Sequence, residues 1–67
     1  MKLLINGEYE TVPTTISTIK EVMEHYQINN PIVIVEHNNS IIEKTAYANT
    51  KVEDGDKIEL VQFVGGG

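Results

Sequence analysis

Ile16-Ser17-Thr18-Ile19-Lys20-Glu21-Val22-Met23-Glu24-His25-Tyr26 is the stretch on which the fold turns, because it carries a clear helical pattern. Thr18-Ile19-Lys20-Glu21 fits a capping box, in which a hydroxyl and a carboxylate one turn later satisfy the orphan amides of a helix start. Ser17 is a second candidate for the cap. Ile19, Val22, Met23 and Tyr26, with Ile16 just upstream, fall on one face at the helical period, while Lys20, Glu21, Glu24 and His25 point elsewhere. The helix must bury that stripe against another layer. Gln27 to Pro31 ends it, with Asn29 or Asn30 suited to a left-handed cap and the proline forbidding continuation.

Outward from the helix, the surrounding chain reads mainly as strand and turn. Met1 to Asn6 alternates, with Leu3 and Ile5 on one side and Lys2 and Leu4 on the other. Asn6-Gly7 is a strong hairpin signal, because a type I′ turn needs positive φ at both central residues; Glu8 to Val12 should therefore return antiparallel. Pro13 closes that strand, lacking an amide hydrogen. Downstream, Ile32-Val33-Ile34-Val35 is an unbroken β-branched run, expected to be a strand covered on both sides. His37 to Ser40 reads as a polar turn, and Ile41-Ile42 as a brief extended piece. Residues 43–53 give mixed signals, with a short helical turn at Ala46-Tyr47-Ala48. Asp54-Gly55-Asp56 is a turn leading into Lys57 to Val64, the longest strand candidate.

This order of hairpin, helix, strand, irregular crossover and final strand requires a mixed sheet with one helix packed across it. A right-handed crossover lets the last strand pair parallel to the first. The expectation is an α+β fold of the β-grasp type, with four to five strands and one main helix. Residues 1–64 form the domain and 65–67 a glycine tail.

A chain of 67 residues holds one domain, with most of its apolar residues committed to one thin core. Cysteine is absent, which removes disulfides, thiolate nucleophiles and thiolate metal sites. Ten acids stand against five lysines, with no arginine. Nucleic acid is thus an unfavourable partner, since backbone binding needs clustered cations, whereas a basic protein surface would be attracted. No segment resembles a signal peptide or a membrane span. The expected location is cytoplasmic, with no membrane partner.

The usual apparatus of an enzyme is not legible. His25 and His37 fall on a helix surface and in a turn, without a second histidine at helical spacing, so both are expected to be exposed and no metal site is predicted. Ser17 and Ser40 lack an elbow and matching acid and base partners. Glu8, Glu10, Glu21, Glu24, Glu53 and Glu59 are scattered over different elements. The terminal glycines precede no helix that would make them a phosphate loop, and no bound cofactor is expected.

The last strand is more informative. If Ile58 and Leu60 face the helix, the pleat turns Val61 and Phe63 onto the opposite face, beside Leu4, as a candidate partner-docking patch. Gly65-Gly66-Gly67 follows directly. By one reading it is a frayed end or an expression remnant. By the other, three extended residues project the Gly67 carboxylate about 10 Å from the body, and their lack of side chains lets them thread a narrow channel. A carboxylate is a poor electrophile, so such an end would need activation by a partner that supplies an ATP site.

With these residues in view, the chain resembles the ThiS family of thiamine-biosynthesis sulfur carriers, relatives of ubiquitin. The resemblance rests on Leu3-x-Ile5-Asn6-Gly7, the Thr18-Ile19 helix start, Ile32-Val33-Ile34-Val35-Glu36, Asp54-Gly55-Asp56-Lys57-Ile58-Glu59-Leu60-Val61 and Phe63-Val64-Gly65-Gly66-Gly67. It departs from many members at His37-Asn38-Asn39-Ser40 and Glu43-Lys44. The resemblance implies a non-enzymatic protein co-substrate. A ThiF-like enzyme using ATP and magnesium would adenylate Gly67, a persulfide donor would replace AMP with sulfur, and the thiocarboxylate would serve a ThiG-like thiazole synthase. It also implies that Gly65 and Gly66 enter the partner active sites, that Phe63 and Val61 are docking contacts, and that the free protein is a monomer. A molybdopterin-synthase small-subunit-like carrier is the nearest alternative. A non-conjugating β-grasp binding module is another, although such modules normally continue past the last strand.

Overall fold

The computed structural model describes residues 1–28 and 33–62. Strands β1 (Lys2–Ile5) and β2 (Glu8–Thr11) form the antiparallel hairpin. Asn6 and Gly7 have φ of 49° and 82°, the two positive values that a type I′ turn demands. The hairpin is tied beyond its strands by the Val12 amide, which donates to the Met1 carbonyl at 2.8 Å.

Helix α1 (Ile19–His25) begins at Thr18, whose hydroxyl oxygen accepts from the Glu21 amide at 3.2 Å. Glu21 closes the box on Ser17, accepting from its hydroxyl at 2.7 Å and its amide at 3.1 Å. Thr18 is therefore the cap and Ser17 its support. The Ser17 hydroxyl and then the Ser17 amide hold the Glu21 carboxyl below its ordinary value.

The helix end corrects the sequence expectation. The helix ends earlier than expected, with Gln27 in the left-handed conformation at φ of 57°. The Gln27 amide donates to the Glu24 carbonyl at 3.1 Å and the Ile28 amide to the Met23 carbonyl at 2.9 Å, the paired bonds of a Schellman motif. Ile28 is the reason for the early stop, because ending the helix at Tyr26 lets Ile28 pack against the core. Asn29, Asn30, Pro31 and Ile32 lie outside the described residues.

Strands β3 (Val33–His37) and β4 (Ser40–Ile42) form a second hairpin, followed by a 3₁₀ segment at Lys44–Asn49 and by β5 (Lys57–Gln62). The sheet order is β2-β1-β5-β3-β4, with β5 parallel to β1 and antiparallel to β3. This is the expected β-grasp, with five strands and α1 on one face. Leu3, Ile19, Val22, Val35 and Ile58 are the large side chains sealed at its centre.

The reading of β3 as covered on both sides is overturned. Val35 is fully buried, but Ile34 is 38% exposed, because one helix can cover only one face of the sheet. The mixed signals of residues 43–53 resolve into the 3₁₀ segment and a return stitched to the helix start. The Ile19 amide bonds the Thr50 carbonyl and the Val52 amide bonds the Ser17 carbonyl, both at 2.9 Å.

Candidate functional site

Strand β5, which leads towards the glycine tail, lies at the middle of the sheet. Its approach is locked by the turn before it. Gly55 takes φ of 89°, its amide donates to the Lys2 carbonyl at 2.7 Å, and Asp54 Oδ1 accepts from the Lys2 amide at 2.7 Å. The parallel ladder follows, with the Leu4 amide on the Asp56 carbonyl and the Asn6 amide on the Ile58 carbonyl. The Asn6 side chain then extends this ladder. Its Oδ1 accepts from the Leu60 amide at 2.7 Å, and its Nδ2 donates to the Leu60 carbonyl at 3.3 Å. Ile58 and Leu60 point into the core, as the alternation predicts. Phe63, Gly65, Gly66 and Gly67 lie outside the described residues, as does the expected continuation of the strand through Val64.

The face turned away from α1 carries an apolar surface, arranged differently from the expected one. Val61 is 44% exposed and stands opposite Ile34, while Ile41 projects from the neighbouring strand at 70% exposure. Leu4 shares that face but stands opposite Lys57, four positions before Val61 and so about 13 Å away along the strand. The expected grouping of Leu4 beside Val61 is thus corrected; Ile34 is the apolar residue opposite Val61, and Ile41, opposite Glu36 on the outer side of β3, extends the same face towards the sheet edge. Cross-strand neighbours depend on register between distant segments, which periodicity within one strand does not report.

His37 also departs from expectation. Its Nε2 lies 2.7 Å from Asp56 Oδ2, with only 17% of the histidine side chain exposed. Burial raises the Asp56 pKa, but the bond from His37, followed by bonds from the Glu53 amide and Asn38, outweighs it and leaves the carboxyl below its ordinary value. This pair fastens the β3–β4 turn to the start of β5. That turn is a second positive-φ pair, Asn38 and Asn39 at 50° and 73°, and Asn38 Oδ1 accepts from the Lys57 amide at 2.9 Å.

A groove of about 700 Å³ lies between α1, the β3–β4 edge and the 3₁₀ segment, lined by Met23, Ile28, Ile42 and Tyr47. The adjacent Ile41-Ile42 pair was its sequence signal, since a short edge strand rarely needs two large apolar residues. Among the described residues, no group of three or more His, Cys, Asp or Glu side chains is arranged to hold a metal, and no helix is long and apolar enough to cross a membrane.

The ThiS family model matches residues 3–67. This chain belongs to the ThiS family. It is 43% identical over 65 residues to the sulfur carrier protein ThiS of Bacillus subtilis, covering 97% of this chain and 98% of that one. It is 40% identical over 67 residues to a thiazole synthase of Paramagnetospirillum magneticum, but spans only 20% of that longer protein. The crystal structure of the thiamine biosynthesis protein ThiS from Geobacter metallireducens superimposes with a TM-score of 0.84 at 35% identity, each chain covered completely. The ThiS-family match includes the glycine end.

Proposed function

We propose that this chain is a sulfur carrier of thiamine biosynthesis that bears sulfur as a thiocarboxylate on Gly67. The observation that carries the proposal is the family match across residues 3–67, supported by the Bacillus sulfur carrier of nearly equal length. The thiazole synthase relative supports a ThiG-like partner, because a segment similar to this whole chain forms part of that protein.

The chemistry is carried out on the chain by its partners. A Gly67 carboxylate oxygen attacks the α-phosphorus of ATP held with magnesium by a ThiF-like enzyme; the bond to pyrophosphate breaks and an acyl-adenylate forms. The terminal sulfur of an enzyme persulfide attacks the acyl carbon, and AMP leaves. A thiol then cleaves the resulting acyl disulfide, forming a disulfide with the donor and releasing the thiocarboxylate. That sulfur is a stronger nucleophile than the carboxylate oxygen, and it passes to the thiazole-forming synthase. The fold contributes a fixed strand from which Gly65 and Gly66 reach into those active sites. Val61 and Phe63 contribute docking contacts, joined by Ile34 and Ile41. A carrier loaded with sulfur at the expense of ATP in this way works in the cytoplasm, as a monomer when free.

Intact-mass spectrometry tests the proposal after incubation with an adenylating enzyme, ATP, magnesium and a persulfide donor. The expected result is a gain equal to one oxygen-for-sulfur exchange, located by fragmentation at Gly67. Removing Gly66 and Gly67 abolishes the gain while leaving the melting temperature unchanged. No gain, or a gain elsewhere in the chain, refutes the proposal.

A further inference from the structure

We infer that Asn6 is a positioning residue for the reactive chain end, acting through Leu60; the inference rests on the carrier function proposed above. β1 stops at Ile5 and the chain turns away at Gly7, so the β1 side of β5 would be bare at Leu60. The Asn6 carboxamide fills that place. A carboxamide has the donor and acceptor of a peptide group, and here both are used on one residue, with Oδ1 2.7 Å from the Leu60 nitrogen and Nδ2 3.3 Å from the Leu60 oxygen. Among the described residues this is the last partner of β5 on that side. Beyond it Val61 and Gln62 are paired only with β3, opposite Ile34 and Val33.

Leu60 stands seven residues before Gly67. The direction of the strand at Leu60 sets the direction of β5 up to Gln62, the end nearest Gly67 in the sequence. Losing the lateral hold lets the end of β5 splay, and a partner must then restrict more conformations before the carboxylate meets ATP. Turn propensity alone does not account for both bonds, since glycine takes positive φ more readily than asparagine.

That difference supplies the test. Asn6→Gly keeps the turn and removes the carboxamide. Asn6→Asp keeps the acceptor for the Leu60 amide but sets a carboxylate oxygen against the Leu60 carbonyl. Pyrophosphate release by a ThiF-like enzyme is measured against carrier concentration at saturating ATP and magnesium. Asn6→Gly is expected to lower kcat on the order of tenfold with KM little changed, the pattern of an orientation lost at the transition state, and Asn6→Asp to fall between it and the wild type. Amide exchange accelerates at Leu60 to Gln62 beyond any change in α1. Val22→Ala, a buried helix change that lowers global stability, retains the wild-type kcat. A wild-type kcat in Asn6→Gly, or an equal fall in Val22→Ala, overturns the inference. A wild-type chain that yields neither pyrophosphate nor thiocarboxylate instead refutes the carrier function, and the inference with it.

Discussion

Replacing Ile58 probes the packing that makes a rigid carrier possible. Its side chain is completely buried on the central strand, beneath α1 and opposite Ile5. Ile58→Val removes one methylene and should cost about 0.5–1.5 kcal/mol; Ile58→Ala removes more and leaves a cavity, for about 2–5 kcal/mol. A domain of this size has a total stability of roughly 3–10 kcal/mol, so the alanine variant loses a large part of it. Urea unfolding followed by circular dichroism is the assay. With a denaturant slope of about 1 kcal/mol/M, the alanine midpoint falls by about 2 M or more, and the valine midpoint by about 1 M. An alanine variant whose midpoint stays within about 0.3 M of the wild type would show that β5 does not bury Ile58 under the helix.

Thr18→Ala removes the helix cap and should lower stability by about 1 kcal/mol, read as a lower melting temperature; Ser17→Ala removes only the hydroxyl bond to Glu21, keeping the amide bond, and should cost less. Because the folded Asp56 pKa lies below its ordinary 3.8, its contribution is fully present above that value and is lost as pH falls through the folded pKa. Unfolding curves of the wild type and Asp56→Asn should therefore differ at neutral pH and converge in acid, and a gap unchanged into strong acid contradicts the assignment. Val61→Asp and Ile34→Asp should each weaken binding to the proposed adenylating partner by about tenfold or more without unfolding the chain. Leu4→Ala should have a smaller effect, and calorimetric titration that ranks Leu4 first would move the docking surface to the other end of the sheet.

The parts of this structure written in adjacent residues were legible in the sequence. The Asn6-Gly7 turn, the Thr18–Glu21 box, the helix stripe and the inward pair Ile58 and Leu60 each depend on local geometry that a short pattern reports. Gln27 escaped because its left-handed conformation follows from Ile28 reaching the core, not from an intrinsic preference of glutamine. Ile34 escaped because an apolar run does not state how many layers will cover it, and His37 because its partner Asp56 is nineteen residues away. At the candidate site, the alternation placed Val61 on the open face, but its neighbour Ile34 came from the β3–β5 register and the place of Ile41 from the β3–β4 register. The two bonds from Asn6 to Leu60 join residues 54 positions apart, and no spacing rule predicts them.

The central place of β5 bears on how the protein is made. Its two flanking strands come from opposite sides of the helix in sequence, and neither can complete the sheet until residues 57–62 have left the ribosome. A chain halted earlier has a hole in its middle instead of a missing edge, and stays open to proteases. The segment nearest the proposed working end is the one whose arrival closes the sheet, so a chain cut short before Lys57 is expected to be digested faster than the full chain.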